Sequence, residues 1–238
     1  MVPPTPGSRT ALATVSQPFV TLIPMMLQTR CAGCDAPGVA VCTTCRFALL
    51  GPRPRTTPGG VNSSVAFTGR ARDVVIGLKY RNRRQVARHL AGLVVNTIIA
   101  NGDVDADVVT WAPTSAARRR TRGFDQGELI AGHVARQLGI PSRRLLERTD
   151  GDHTQTGRSR RERLTGVHFR VRPGLEGQRV LVVDDVVTTG ATLRSARAAL
   201  LGAGAQAVAL YAVAATPSGV ASMRRPTERR RAITHAAA

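Results

Sequence analysis

The clearest chemical pattern in this sequence lies between positions 180 and 192, where acidic residues precede a turn rich in hydroxyl groups. The stretch reads V-L-V-V-D-D-V-V-T-T-G-A-T, so Asp184 and Asp185 follow four apolar β-formers. Four consecutive apolar residues predict a strand buried on both faces, as in a parallel sheet. Apolar periodicity from Ala191 to Leu201 predicts a helix directly after the turn.

This arrangement suits the binding of a ribose phosphate. Backbone N–H groups at the positive end of a helix dipole can surround a 5′-phosphate, and Gly190 lets the backbone approach it closely. The candidate phosphate-binding residues are Val187, Thr188, Thr189, Gly190, Ala191 and Thr192.

Asp184 and Asp185 are the candidate catalytic residues. Their carboxylates can accept hydrogen bonds from vicinal ribose hydroxyls or orient the water shell of a Mg²⁺ ion. Two alternatives are a plain helix cap and an acidic metal pocket like that of a receiver domain.

A second pattern uses every cysteine of the chain. Two C-x-x-C pairs are separated by seven residues, and their members are Cys31, Cys34, Cys42 and Cys45. Paired C-x-x-C turns are a common way to present four thiolates tetrahedrally, so the spacing predicts a structural Zn²⁺ site with no open coordination position. Disulfides or a redox pair are the alternatives.

Basic residues supply further candidates for a pyrophosphate group. Lys79 is the one lysine among 34 basic residues, so a compact ammonium is favoured there over an accident of the surface. Arg119, Arg122 and Gln126 lie in a predicted loop at 112–126, at the carboxyl end of a predicted strand from Asp107 to Trp111. Guanidinium groups there can grip pyrophosphate, although a charge run can also be a solvated face.

Composition limits the classes of partner. The formal charge of +19 predicts affinity for polyanions, including nucleic acid, but aromatic residues make up only 3% of the chain, which weakens a base-stacking hypothesis. No run approaches the ~20 apolar residues that span a bilayer, so we expect a cytoplasmic protein with no membrane span.

Alternating strand and helix patterns predict an α/β fold with a parallel-sheet core and flanking helices. We expect a disordered lead at 1–17, a segment at 18–50 that holds the cysteine module, a linker rich in Pro and Gly at 51–62, a main domain at 63–216 and a basic disordered tail at 217–238. A polar stretch from Arg148 to Gly166 is typical of a lid or binding loop.

Together these motifs resemble the ComF family, the amidophosphoribosyltransferase-like proteins linked to bacterial competence and to gluconate-periplasmic genes. The resemblance rests on G-L-K-Y at 77–80, R-R-x-R-G-F-D-Q at 119–126, Q-T-G-R-S-R-x-E-R at 155–163, the cysteine module and the 180–192 stretch, which is similar to the 5-phosphoribosyl-1-pyrophosphate (PRPP) signature of type I phosphoribosyltransferases. The family usually has Asn where Asp125 stands.

This resemblance implies a type I phosphoribosyltransferase fold plus the small zinc module. It implies that PRPP binds with its ribose on the acidic pair, its 5′-phosphate on the turn and its pyrophosphate between the 112–126 and 150–163 loops. The leading hypothesis is Mg²⁺-dependent phosphoribosyl transfer to an unidentified acceptor. The alternative is a non-catalytic accessory protein in DNA uptake, which binds single-stranded DNA or other nucleic acid and keeps the PRPP pocket as a sensor or relic.

Overall fold

The computed structural model describes residues 29–50, 55–57, 59–149 and 167–217 of the chain. Its helices are α1 Thr43–Ala48, α2 Gly69–Tyr80, α3 Ala87–Asn101, α4 Ala116–Arg122, α5 Gln126–Leu138 and α6 Ala191–Gly202, and a 3₁₀ turn at Arg84–Val86 precedes α3. Its strands are β1 Arg55–Thr57, β2 Val61–Ala66, β3 Val108–Trp111, β4 Leu146–Arg148, β5 Phe169–Val171, β6 Arg179–Val187 and β7 Ala207–Ala215.

Five strands form one sheet in the order β1-β2-β7-β6-β3. Only β1 pairs antiparallel, with β2, whereas the other four strands run parallel. Val182 on β6 aligns with Leu210 on β7 and with Thr110 on β3, so β6 is flanked on both sides. Strands β4 and β5 form a separate antiparallel pair.

The sheet is buried on both faces because successive β6 side chains alternate between two hydrophobic clusters. Leu181 and Val183 pack with residues of α2, α3 and α5, whereas Val180 and Val182 pack with residues of α6. This three-layer arrangement explains why the strand reads as a continuous apolar run. It confirms the predicted α/β fold with a mostly parallel core.

Three stretches differ from the sequence-based expectation. The predicted loop at 112–126 contains α4, because Ser115 accepts a hydrogen bond from Arg118 N at the helix start and Gly123 ends the helix with φ 74°. The predicted linker at 51–62 contains β1 and the first residues of β2, which extend the sheet at its edge. Strand β4 was not anticipated, since three residues carry too little periodicity to predict it.

Other expectations concern residues that the structure does not describe. The lead at 1–17 and the polar segment at 150–166 lie outside the described residues, as does all but the first residue of the tail at 217–238. Within the described part of the chain, no helix is both long enough and apolar enough to cross a membrane.

Candidate functional site

The acidic pair lies near the carboxyl end of β6, between β7 and β3. The strand continues past the pair, since Asp184 aligns with Ala212 and Val186 aligns with Ala214. Asp184 is half-buried, Asp185 is buried, and the Asp185 backbone N–H donates to Asp184 Oδ1 over 2.7 Å. The carboxyl ends of parallel strands are where open α/β sheets bind ligands, so the pair occupies the expected edge.

Lys79, in the last turn of α2, reaches the acidic pair. Its Nζ lies 2.8 Å from Asp185 Oδ1, and the two side chains are only 16% and 11% exposed. Salt and water screen a largely buried ion pair far less than an ion pair on the surface. Lys79 therefore compensates the charge of Asp185 inside the site.

Among the described residues, Asp184 has no cationic partner within ion-pair distance. Burial, and then the negative charge of Asp185, raise the pKa of Asp184 to about 8, although the Asp185 N–H and Lys79 act in the opposite direction. Near neutral pH Asp184 therefore holds a proton. A cation or a ribose hydroxyl that needs the charged carboxylate must displace this proton, so its binding strengthens as the pH rises toward 8.

Asp125 is a third carboxyl in this region. It begins α5 as the N-cap and accepts hydrogen bonds from Thr114 N (2.9 Å) and Gly127 N (3.0 Å). Burial raises the pKa of Asp125, although the backbone hydrogen bonds act to lower it. The negative charge of Asp125 in turn helps to raise the pKa of Asp184. The carboxyl thus ties the loop after β3 to the start of α5, beside the acidic pair.

The turn after β6 connects the strand to α6. Gly190 precedes the helix with φ 75°, a conformation that favours glycine. Thr188 and Thr189 are exposed, and Thr189 Oγ1 accepts a hydrogen bond from Ala191 N over 3.4 Å. Val187 differs from its neighbours, since its side chain packs in the core and its carbonyl accepts from Thr216 N.

Arg194, in the first turn of α6, makes a hydrogen bond that stabilises the turn after β6. Its Nη1 donates to the Thr189 carbonyl over 2.7 Å. A Cβ added at Gly190 would lie 2.8 Å from the same nitrogen. The guanidinium therefore holds the turn in place and adds positive charge where we expect a phosphate.

Arg122 and Gln126 lie together at the end of α4 and the start of α5. Arg122 Nη1 donates to Gln126 Oε1 over 2.8 Å, and the guanidinium also lies over the ring of Tyr80, 4.9 Å from its centre. Gln126 Nε2 is buried and has no hydrogen-bond partner among the described residues. An unpaired buried donor is costly, so it is available to an oxygen atom of a ligand.

Arg119 lies apart from this pair, on the exposed side of α4. It lines a cleft of about 250 Å³ together with Thr114, Asp125 and Arg148. Asp125 therefore borders both the cleft and the acidic pair.

The four cysteines form a compact cluster. All are free thiols, and their Sγ atoms lie within 4.8 Å of one another, with Cys34 and Cys42 3.6 Å apart. Four sulfurs bound to one Zn²⁺ at ~2.3 Å are ~3.8 Å apart, so these residues fit a tetrahedral metal. Burial raises the pKa of the Cys31 thiol, but backbone N–H groups, that of Cys42 foremost, outweigh it and lower the pKa to about 6.

The structure therefore gathers most of the predicted residues at one edge of the sheet. The cysteine cluster forms a separate centre, and Arg119 is set back in the cleft. Sequence reasoning assigned no role to Tyr80, although it ends the G-L-K-Y motif, and missed Arg194, which lies in no motif. Asp125 was visible only as a departure from the family pattern.

Comparisons with known proteins agree with this geometry. The model of the phosphoribosyl transferase domain family matches residues 125–228. The DNA utilization protein YhgH of Salmonella typhimurium is 27% identical over 194 residues, which cover 78% of this chain and 84% of that protein. Competence protein F of Haemophilus influenzae is 28% identical over 114 residues, 45% of this chain and 50% of that protein. The predicted resemblance to the ComF family is confirmed by these relatives.

The chain also resembles a relative that is named as a phosphoribosyltransferase. The orotate phosphoribosyltransferase of Rhizorhabdus wittichii is 37% identical over 102 residues, which cover 42% of this chain and 44% of that protein. The expected type I phosphoribosyltransferase fold is confirmed. The predicted relation to competence proteins is confirmed as well.

Proposed function

We propose that this protein binds PRPP together with Mg²⁺ and transfers the phosphoribosyl group to an acceptor, with release of pyrophosphate. The observation that carries the proposal is the acidic pair on β6, held by Lys79 and followed at once by the Gly190 turn. A carboxylate pair is thus followed within about five residues by a turn that can hold a phosphate. The match to the phosphoribosyl transferase domain family supports the same function.

In this proposal each part of PRPP meets a different group of residues. The N–H groups of the turn and of the first residues of α6 bind the 5′-phosphate, with Arg194 behind them. Asp184 and Asp185 accept hydrogen bonds from the 2′ and 3′ hydroxyls. Arg122 and the unpaired Gln126 Nε2 face the pyrophosphate, and Arg119 adds charge from the cleft.

The chemistry is a substitution at C1′ of the ribose. The bond from C1′ to the pyrophosphate oxygen breaks, its electron pair leaves with pyrophosphate, and the acceptor forms the new bond to C1′. Positive charge builds on the ring, and the carboxylates of the acidic pair stabilise it. Bound Mg²⁺ would neutralise charge on the leaving pyrophosphate.

Calorimetric titration of PRPP with Mg²⁺ tests the binding step. Above pH 8, where Asp184 is ionised, we expect the wild-type protein to bind and Asp184→Asn to bind at least ~30-fold more weakly, because about 2 kcal/mol of charged hydrogen bonding is lost. Asp73→Asn is the matched control, since this exposed carboxylate on α2 lies outside the site. Absence of binding by the wild-type protein would contradict the proposal.

A screen for released pyrophosphate then tests transfer. Wild-type protein is incubated with Mg²⁺, PRPP and a panel of nucleobases, amines and nucleic acids. Release that depends on one acceptor class identifies the substrate. Binding without release for every acceptor would favour a sensor over an enzyme.

We also propose that the metal of the cysteine cluster is Zn²⁺ in a structural role. Four cysteines fill a tetrahedral coordination sphere and leave no position open for substrate. One zinc per chain, measured by plasma mass spectrometry, would support this assignment. A different metal in the protein as isolated would contradict it.

A second candidate function, nucleic-acid binding, is supported by a basic and aromatic surface next to the site. Tyr80 is 70% exposed beneath Arg122, and Arg84 lies over Phe124 at 4.5 Å from the ring centre. Arginines bind phosphates, and exposed rings can stack on bases. The name of the relative in Salmonella typhimurium, a DNA utilization protein, points in the same direction.

The dependence of affinity on salt distinguishes nucleic-acid binding at this surface from nonspecific attraction to a protein of charge +19. Binding of a fluorescent oligothymidylate is followed over a range of salt concentrations. We expect Arg84→Gln/Arg122→Gln to weaken binding at least tenfold and to reduce the salt slope by about 1.4, or ~0.7 per phosphate contact. Arg136→Gln on α5 is the control, and an equal loss in both variants would contradict a defined surface.

A further inference from the structure

The cysteine module packs directly against α2, the helix that carries Lys79. A Cβ added at Gly77 would lie only 2.2 Å from the Ala32 carbonyl oxygen, so the backbones of the helix and the module are in contact there. A Cβ added at Gly33 would lie 2.7 Å from Cys45 Sγ and 2.9 Å from Val74. No side chain larger than hydrogen fits at either glycine without a shift of its neighbours.

The turn that follows α2 is fastened to the same module. Arg83 Nη2 lies 2.6 Å from Asp35 Oδ1, and Asp35 follows Cys34 directly. The Arg81 and Arg83 backbone N–H groups both donate to the Gly77 carbonyl over 3.2 Å. The end of the helix is therefore held both by its own backbone and by the module.

The module also reaches the first turn of α2. Arg70 Nη1 lies 3.8 Å from Cys45 Sγ, and this sulfur raises the pKa of Arg70. Contacts thus extend from the beginning of α2 to the turn beyond its end. The buried residues of the module and of α2 belong to one hydrophobic cluster.

Lys79 follows Gly77 by two residues and makes the ion pair with Asp185. From these contacts we propose that the metal-filled cysteine module positions Lys79 over the acidic pair, so that loss of the metal releases Lys79 from Asp185. Four close sulfurs hold their geometry through a shared metal, and Ala32 and Gly33 lie between two of the ligands. The effect on PRPP rests on the proposed function, whereas the link from metal to Lys79 does not.

The single lysine makes this link measurable without PRPP. Protein labelled with ¹³C,¹⁵N-lysine gives one lysine side-chain signal in the NMR spectrum, that of Lys79. Asp185→Asn supplies the signal of an unpaired Lys79. Emission of Trp111, the one tryptophan, reports whether β3 and the sheet remain intact.

Two perturbations are compared with the zinc-loaded wild-type protein. The first is removal of zinc with a chelator, and the second is Gly77→Ala with zinc still bound. Gly132→Ala is the matched control, because a Cβ at this mid-helix glycine of α5 meets no atom of the described residues within 4 Å. Alanine favours the helix at both positions, so a difference between the variants reflects the contact with Ala32.

We expect chelation and Gly77→Ala to move the Lys79 signal to its position in Asp185→Asn, and Gly132→Ala to leave it unchanged. A Lys79 signal that stays at the wild-type position after chelation, or in Gly77→Ala, would overturn the proposal. If Trp111 emission shows that chelation unfolds the sheet, the Gly77→Ala comparison decides alone. Absence of PRPP binding would contradict the proposed function and leave this result intact.

Discussion

Lys79 Nζ lies 2.8 Å from Asp185 Oδ1, and this ion pair joins the end of α2 to the acidic end of β6. The two residues come from distant parts of the sequence. The pair places one positive charge among three carboxyls, those of Asp184, Asp185 and Asp125. Because the cysteine module packs on α2, the ion pair also connects this module to the candidate site.

Substitution of Lys79 should lower the free energy of unfolding more than substitution of one member of a surface ion pair. Lys79→Met leaves the charge of Asp185 buried without a partner, which costs about 3 kcal/mol. We expect this loss in the free energy of unfolding measured in urea. The double variant Lys79→Met/Asp185→Asn should recover most of it, because no uncompensated charge remains.

The control for this prediction is the exposed ion pair between Arg172 and Glu147. Arg172→Met should cost less than about 1 kcal/mol, since water screens exposed pairs. Equal losses in Lys79→Met and Arg172→Met would show that the Lys79 pair contributes no more than a surface contact.

Stability should depend on pH through Asp184. The folded protein holds its proton up to a pKa of about 8, whereas the unfolded chain releases it near its ordinary pKa of ~3.9. The unfolded state therefore binds fewer protons between these values, and stability falls as the pH rises from about 4 to about 8. Asp184→Asn removes this contribution.

We expect the melting temperature of Asp184→Asn to exceed that of the wild-type protein by at least ~3 °C at pH 8, with a smaller difference at pH 5. This shift corresponds to about 1 kcal/mol for a chain of this size. Asp73→Asn should change neither value. A difference that is equal at both pH values would argue against a raised pKa of Asp184.

The Gly190 turn should be sensitive to a single methyl group. Gly190→Ala forces a positive φ on alanine and places its Cβ against Arg194, so we expect ribose 5-phosphate to bind at least tenfold more weakly by calorimetry. Gly102→Ala is matched in φ, at 77°, and its new Cβ contacts none of the residues that the structure describes. Both variants should lose about 1 kcal/mol of stability, but only Gly190→Ala should lose affinity.

Metal content should depend on each cysteine, including the exposed Cys34. Cys34→Ser should lower bound zinc from about one per chain to a small fraction, because serine is a poor ligand for this metal. The melting temperature should fall by at least ~5 °C as the local fold loses its metal. Thr44→Ser, an exposed change between Cys42 and Cys45, should retain the full zinc content.

The sequence alone determined those parts of the site that are continuous along the chain. The buried strand, the acidic pair and the Gly190 turn follow one another, so periodicity and residue type predict them together. The cysteine spacing predicted the cluster of four close thiols in the same way. Even here, pairing with β7 extends β6 to Val187, beyond the predicted end of the strand.

Only the tertiary structure decided which distant side chains meet. Lys79 stood out as the single lysine, but its partner depends on how α2 packs against the sheet and against Ala32. The contacts of Arg122 with Tyr80 likewise join two helices with no shared motif. The physical reason is that local patterns report hydrogen bonding and burial within an element, whereas contacts between elements depend on the packing of many core side chains at once.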